Sequence, residues 1–414
     1  MRIAVIGGGI SGMVAAYLLH EGNDIVLFEK NDYIGGHTHT VDVEAGGQCY
    51  AVDTGFIVFN EVTYPNFLKL LQRLKIEYRT SRMSFSVKSE RDGLEYGAHN
   101  LNTLFAQRKN LLDFSFYRMI GEIFRFRKEF QSLLMEDRQD ESLVAYLRNH
   151  GYSRRFIDYF IIPLGASLWS TDPEKIEDFP LATFVRFFDN HGFLRIKNPF
   201  EWMVIKGGSS RYVEKLIEPY REKIRLHTPV RTITRYADKV EVRLESGLVE
   251  NFDHVVLAVH SDQALAILSD PTDEERDILG AIPYQKNLTI LHTDTCILPK
   301  RKRIWSSWNY CIPKEKLERP VITYDMNILQ GLSAPEEFCV TLNRAGEIAP
   351  QRTIGVYDYE HPVYTVAAPS AQNRHKEISG RNRSHYAGAY WGYGFHEDGV
   401  NAALAACAWF GKSL

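Results

Sequence analysis

A short apolar run at residues 3–6 passes directly into Gly7-Gly8-Gly9-Ile10-Ser11-Gly12, and a strong helix-forming stretch follows at residues 13–20, ending at Gly22. This order of strand, G-x-G-x-x-G and helix constrains the fold more than any other feature of the chain. Such a turn presents backbone N–H groups at a helix N-terminus, where unpaired donors and partial positive charge favour a phosphate. Side chains at Gly7, Gly9 and Gly12 would obstruct the turn, the approach of a pyrophosphate or the packing of helix on strand. Residues 24–29 read as a second strand, and Glu29 closes it 17 positions after Gly12. A carboxylate there accepts hydrogen bonds from ribose hydroxyls and repels a 2′-phosphate. The segment is the βαβ start of a parallel sheet suited to a dinucleotide.

The rest of the chain alternates in texture. Residues 64–200 are aromatic and amphipathic, with Pro163, Pro173 and Pro180 as breakers, and read as an inserted helical region. Strand patterns return at 230–233, 240–244 and 254–259; residues 271–375 mix strands and loops, and a small-residue helix is expected at 400–409. The expected architecture is α/β: a discontinuous Rossmann-like cofactor domain (1–63, 204–270 and 376–414) with an interleaved α+β substrate or cap domain (64–203 and 271–375). Lys and Arg number 49 against 52 Asp and Glu, a net charge of −3 that gives no electrostatic case for nucleic acid. The five cysteines show no C-x-x-C pair, so neither a disulfide framework nor a zinc site is indicated. His37-Thr38-His39 lacks a third ligand at useful spacing, and no metal is expected. The strand beginning at residue 2 leaves no room for a secretory signal ahead of it, and no apolar stretch is long enough to span a bilayer, so the expectation is a cytoplasmic protein.

The run Glu29-Lys30-Asn31-Asp32-Tyr33-Ile34-Gly35-Gly36-His37 resembles the continued fingerprint of flavin amine oxidases, phytoene desaturases and protoporphyrinogen oxidases. In that superfamily a glycine pair stands six and seven positions past the acidic residue, and an arginine often follows where this chain has His37. Asp53-Thr54-Gly55-Phe56 is similar to the turn that passes the flavin, and Val230 to a valine whose backbone meets the adenine. Gly388 and Gly394-Phe395-His396-Glu397 resemble the segment that lays a helix N-terminus, with its amides and dipole, against the flavin. The resemblance implies glutathione reductase-type FAD binding by Gly7, Gly9, Ser11, Gly12, Glu29, Gly35, Gly36, His37, Thr38, Gly55, Phe56, Val230, Gly388, Gly394, Phe395 and His396. The family's acidic residue after the Gly388 position is missing, since Ala389 and Tyr390 stand there. No cysteine lies between Val340 and Gly394, where monoamine oxidases attach flavin, so non-covalent FAD is implied.

Trp169-Ser170, residues 187–191, Lys206-Gly207-Gly208-Ser209, Trp308-Asn309-Tyr310 and residues 388–399 together resemble one branch of this superfamily whose bacterial members are often encoded beside cyclopropane-fatty-acid synthases. That likeness implies lipid chemistry, with a lipid-modifying synthase as partner and a hydrophobic or lipid substrate dehydrogenated by hydride transfer to flavin N5. The alternatives are a flavin-dependent amine oxidase, which Phe395 disfavours because it lacks a hydroxyl, a redox-neutral mutase or isomerase, and a flavin module acting through a partner. Lys286 falls where amine oxidases often place a lysine near N5, or is a surface residue; His292, Asp294, Trp308 and Tyr324 are candidates for the cavity wall. Residues 104–130 interleave aromatic and basic side chains, and the basic ones face either anionic headgroups at a membrane or solvent.

Overall fold

The computed structural model describes residues 1–135, 141–190, 192, 200–315, 317–365 and 367–414. His191 of the aromatic run and the side chain of Phe130 lie outside what is described. Strand Arg2–Ile6 is apolar from Ile3 onward and takes the centre of a five-stranded parallel sheet, where both faces are buried. The order across the sheet is Ile224–Arg225, Asp24–Phe28, Arg2–Ile6, His254–Leu257 and Ser384–Tyr386. Widely separated parts of the chain therefore meet in one sheet. The antiparallel strands Val230–Arg235, Val240–Leu244 and Val249–Phe252 branch off between two of its members.

Helix Ile10–Leu19 packs against helix His396–Ala408, with Cys407 Sγ 3.8 Å from Ala15 O. A Cβ on Gly399 would lie 2.6 Å from Ile10 Cγ2, so the close approach of these helices requires glycine. The C-terminal helix starts at His396 rather than at the expected residue 400. Asp398 explains the earlier start: its carboxylate accepts from the N–H groups of Phe395 (2.9 Å) and Tyr393 (3.0 Å) and caps the helix.

The second large layer is a seven-stranded mixed sheet, in the order Thr353–Pro362, Tyr284–His292, Cys339–Leu342, Val321–Asp325, Trp308–Ile312, Phe85–Ser89 and Glu95–Gly97. Helices between residues 114 and 190 join it, with Phe116 against Tyr96 and helix Ile162–Trp169 against strand Trp308–Ile312. Strands Val58–Asn60, Trp202–Ile205 and Tyr78–Ser81 bridge the two layers. Helix Pro65–Arg73, assigned by sequence to the segment starting at 64, buries Phe67, Leu68, Leu70 and Leu71 in the same core as Ile3 and Val5. Glu397 accepts from the N–H groups of Asn66 (3.1 Å) and Phe67 (2.8 Å) at its N-terminus, so this helix packs with the cofactor side. Among the described residues, no helix is long and apolar enough to cross a membrane.

Candidate functional site

The glycines of the first turn do different work. A Cβ on Gly7, whose φ is +101°, would fall 2.6 Å from Ala258 O, and one on Gly12 would fall 1.9 Å from Gly7 O. Packing alone requires glycine at both ends. Gly9 has an ordinary φ of −73°, and a Cβ there would meet nothing within 4 Å. The middle of the turn thus faces open space. Gly9 caps helix Ile10–Leu19 with no side-chain hydrogen bond and no acidic residue in the first turn, whereas Ser142, Ser153, Thr272 and Asp325 each cap their own helices. First-turn N–H groups have no acceptor within their own helix, so this terminus is available to an anion.

Glu29 is buried at the end of the second strand and accepts from Gly8 N (2.7 Å) and Asn31 N (2.9 Å). The N–H of Thr228 donates to Glu29 O at 2.8 Å, which stitches the approach to Val230 alongside the same strand end. Gly35 N–H donates to Gly8 O at 2.9 Å, and a Cβ on Gly36 would lie 3.0 Å from Gly9 Cα, so the two glycine turns touch. Phe56 N–H then donates to His37 O (2.7 Å), and the Phe56 ring lies flat on His396 at 3.4 Å and 12°. His396 Nε2 stands 2.9 Å from Thr38 Oγ1 and 3.0 Å from the Tyr212 hydroxyl, and Ser11 Oγ donates to Gly399 O at 2.9 Å. Burial pushes the His396 imidazole down to about 3, so the ring is neutral. Tyr212 carried no signal in the sequence, being one tyrosine on an amphipathic helix.

His37 Nε2 is buried without a hydrogen-bond partner. Its ring stacks on Tyr359 (5.1 Å, 30°) and meets His361 edge-on at 5.1 Å. Burial, then the neighbouring imidazoles of His361 and His260, hold His37 well below the ordinary histidine range. The position where relatives often carry a fixed cation is therefore a neutral ring. His361 is likewise pushed down to about 4 by burial and by His260, and its Nδ1 is 3.0 Å from Asn287 Nδ2.

An aromatic wall stands beside the Gly394 turn. Its ring centroids are close: Trp169–Phe179 4.5 Å, Trp169–Phe187 4.7 Å and Phe187–Phe395 5.0 Å. Tyr364, which sequence reasoning missed, has a buried hydroxyl with no partner, 2.8 Å from where a Cβ on Gly394 would lie. Gly388 precedes a short turn, Ala389–Trp391, and a Cβ on it would strike the Tyr390 ring at 2.3 Å. Lys286 is not brought to this wall. Its side chain is 71% exposed, with Nζ 3.7 Å from Glu360, while its neighbours Gln285 and Asn287 point inward and donate to Ser170 O. Strand alternation puts Lys286 on the outer face. Lys286→Met is accordingly expected to leave the rate of substrate-driven flavin bleaching within about twofold of the parent, where loss of a catalytic proton-transfer group costs about 100-fold or more; stopped-flow absorbance is the check. His292 and Asp294 have local roles, His292 Nε2 lying 2.7 Å from Thr341 Oγ1 and Asp294 capping the turn Thr295–Ile297. Trp308 and Tyr324 meet edge to face at 5.5 Å.

Residues 10–327 of this chain match the model of the flavin containing amine oxidoreductase family. The chain belongs to that family. A stretch of 40 residues is 52% identical to flavin-containing amine oxidase B of Sus scrofa, covering 9% of this chain and 8% of that curated relative. Cyclohexylamine oxidase from Brevibacterium oxydans IH-35A shares the fold over 98% of both chains, with a TM-score of 0.68 and 16% identity. A CLA-producing fatty acid isomerase from P. acnes does so over 98% of both chains, with a TM-score of 0.67 and 15% identity. The chain is thus a member of a family of flavin-containing oxidoreductases and has the α/β fold of the amine oxidases over its full length.

FAD, which this family binds, fits the residues present. The open side of Gly9 and the uncapped terminus of helix Ile10–Leu19 suit a pyrophosphate, and Glu29 suits a ribose. The orphaned His37 Nε2 offers one hydrogen bond but no fixed charge. At helix His396–Ala408, the N–H groups of Tyr393 and Phe395 are already taken by Asp398. The donors left there are those of the first helical turn. Burial pushes the Asp398 carboxyl up to about 7 against those two N–H donors. A carboxyl raised on folding stabilises the protein at low pH, and that stability is lost as pH rises from the ordinary value of 3.8 through about 7. Asp398→Asn is expected to flatten this fall, with a gain over the parent at pH 8 of about 1–3 kcal/mol that vanishes at acid pH; thermal melts of the apoprotein across that range measure it.

Proposed function

We propose that this oxidoreductase dehydrogenates a hydrophobic substrate, a lipid acyl chain, and holds its FAD without a covalent bond. The observation that carries the reading is the wall of Trp169, Phe179, Phe187 and Phe395, beside which Tyr364 presents one unpartnered buried hydroxyl. Trp169, Phe179 and Phe187 are packed in the core, and half-buried Phe395 is the ring of this cluster that offers an apolar chain a contact, with the Tyr364 hydroxyl as a single polar one. Bound FAD supplies the hydride acceptor. The chain's own groups do the rest: the glycine turns and Glu29 anchor the nucleotide, the aromatic rings exclude water and hold a C–H bond in place, and the Tyr364 hydroxyl orients the substrate. The resemblance of the sequence to the branch associated with cyclopropane-fatty-acid synthases supports a lipid and makes such a synthase the proposed partner, while the fold is shared alike with a fatty acid isomerase and a cyclohexylamine oxidase.

The test is anaerobic addition of fatty-acyl lipids and of primary amines and polyamines to the purified yellow protein, with the oxidised-flavin band followed. Bleaching by acyl lipids is expected. Bleaching by amines alone would replace this reading with amine oxidation, and a flavin that neither class reduces would turn it to redox-neutral or partner-dependent chemistry.

A further inference from the structure

Helix Phe114–Met135 has two apolar faces. Phe116, Met119 and Phe126 are buried in the helical layer, and Phe116 packs on Tyr96. Phe114, Tyr117 and Phe124 point the other way, 91%, 45% and 56% exposed, with exposed Gly121 between them. Positions 114, 117, 121 and 124 form one stripe of an α-helix. The segment ahead of the helix extends the patch, with Leu112 at 87% exposed and Leu101 at 74%. Fifteen large hydrophobic side chains are exposed among the described residues, and six of them fall between 101 and 124. Scattered apolar side chains on a surface are ordinary, but a concentration of this kind marks a contact.

The charge around the patch selects the partner. Residues 101–130 carry six Lys and Arg against three Asp and Glu, a net +3, so the remainder of a chain with net charge −3 sums to −6. All three acids are paired, Asp113 with Arg155 at 2.9 Å, Glu122 with Arg118 at 3.0 Å and Glu129 with Arg125 at 2.8 Å, which leaves Arg108, Lys109 and Lys128 in the segment's excess positive charge. A second copy placed symmetrically on this face would set its +3 against another +3. Protruding rings and leucines interleaved along the segment with basic residues instead match an interface where apolar groups enter the headgroup–acyl boundary and basic groups meet phosphate. We propose that residues 101–124 dock the protein on the surface of an anionic phospholipid bilayer, lying in the interface without crossing it. The proposal stands on this face alone and holds whatever substrate the flavin site oxidises.

Co-sedimentation of the full-length holoprotein with vesicles of phosphatidylglycerol and phosphatidylcholine in equal parts tests it. Binding is expected to be about tenfold or more tighter than to pure phosphatidylcholine and to weaken with salt. The double substitution Leu112→Ser with Phe114→Ser removes two side chains that lie mostly in water, so flavin content and melting temperature are expected to persist while vesicle affinity falls about tenfold or more. Lys109→Glu should lower affinity for the anionic vesicles and flatten the salt dependence. The proposal is overturned if the holoprotein does not sediment with anionic vesicles or if the double variant binds as well as the parent. It is equally overturned if the parent forms a concentration-dependent dimer that the double variant cannot.

Discussion

Gly9→Ala is expected to abolish stable flavin binding while leaving the apoprotein folded. The new methyl enters a space in which nothing lies within 4 Å, and the backbone there already has a φ of −73° that alanine adopts freely. Its cost to folding is that of a poorer helix N-cap, about 1 kcal/mol or less. Its expected cost to binding is much larger, because a pyrophosphate held at this helix N-terminus would occupy that space, and an affinity loss of about 100-fold corresponds to about 3 kcal/mol. Gly12→Ala is the contrast: its methyl would fall 1.9 Å from a backbone oxygen, so apoprotein stability and flavin are expected to be lost together. Flavin fluorescence titration and the apoprotein melting temperature separate the two effects. Normal FAD affinity in Gly9→Ala would show that the phosphates do not approach from this side.

The largest stability effect is expected at Arg235. Its guanidinium and the Glu275 carboxylate are each 2% exposed and joined at 2.5 and 2.8 Å, while Glu275 also accepts from the Tyr386 hydroxyl (2.6 Å) and Thr272 N (2.9 Å). One ion pair thus ties the antiparallel sheet to helix Asp273–Gly280 and to the last parallel strand. Arg235→Met leaves a buried carboxylate without its cation, which costs about 3–5 kcal/mol out of a total of about 5–15. Burial pushes Glu275 up, but the hydrogen bonds from Arg235 and Tyr386 outweigh it and hold the carboxyl below its ordinary value of 4.5. A depressed carboxylate contributes stability above that value, lost as pH falls through the folded-state one. Without Arg235, burial dominates, and the variant can relieve the penalty by protonating Glu275. The deficit of Arg235→Met is therefore expected to be smaller at pH 5 than at pH 8 in denaturant unfolding. A deficit under about 1 kcal/mol, or one independent of pH, would contradict this account.

What was legible in the chain was local. The constraint on Gly12 is a clash with Gly7 O five residues earlier, and Glu29 follows at a distance set by one helix and one strand, whereas the clash that requires glycine at position 7 is with Ala258, brought there by the sheet. The start of the C-terminal helix lies four residues before the one the sequence suggests because Asp398 caps from within its first turn, so the cap follows the start instead of preceding it. Which of its two readings Lys286 takes follows from the period of strand Tyr284–His292, a period that is hard to read where the inward positions are the polar Gln285 and Asn287.

The dinucleotide turn and the βαβ unit that starts the parallel sheet were determined by the sequence itself, since both depend on backbone geometry and side-chain volume within about 30 consecutive residues. Tertiary structure alone decided that His37 would meet Tyr359 and His361, that Thr38 would share a hydrogen-bond network with Tyr212 and His396, and that Tyr364 would stand over Gly394. Those partners lie more than 170 residues apart for Thr38 and more than 320 for His37. Nothing in a run of residues encodes such a meeting. It arises from burying apolar faces elsewhere in the sheets, which brings the polar groups together, removes their water and so makes His37, His361 and His396 neutral.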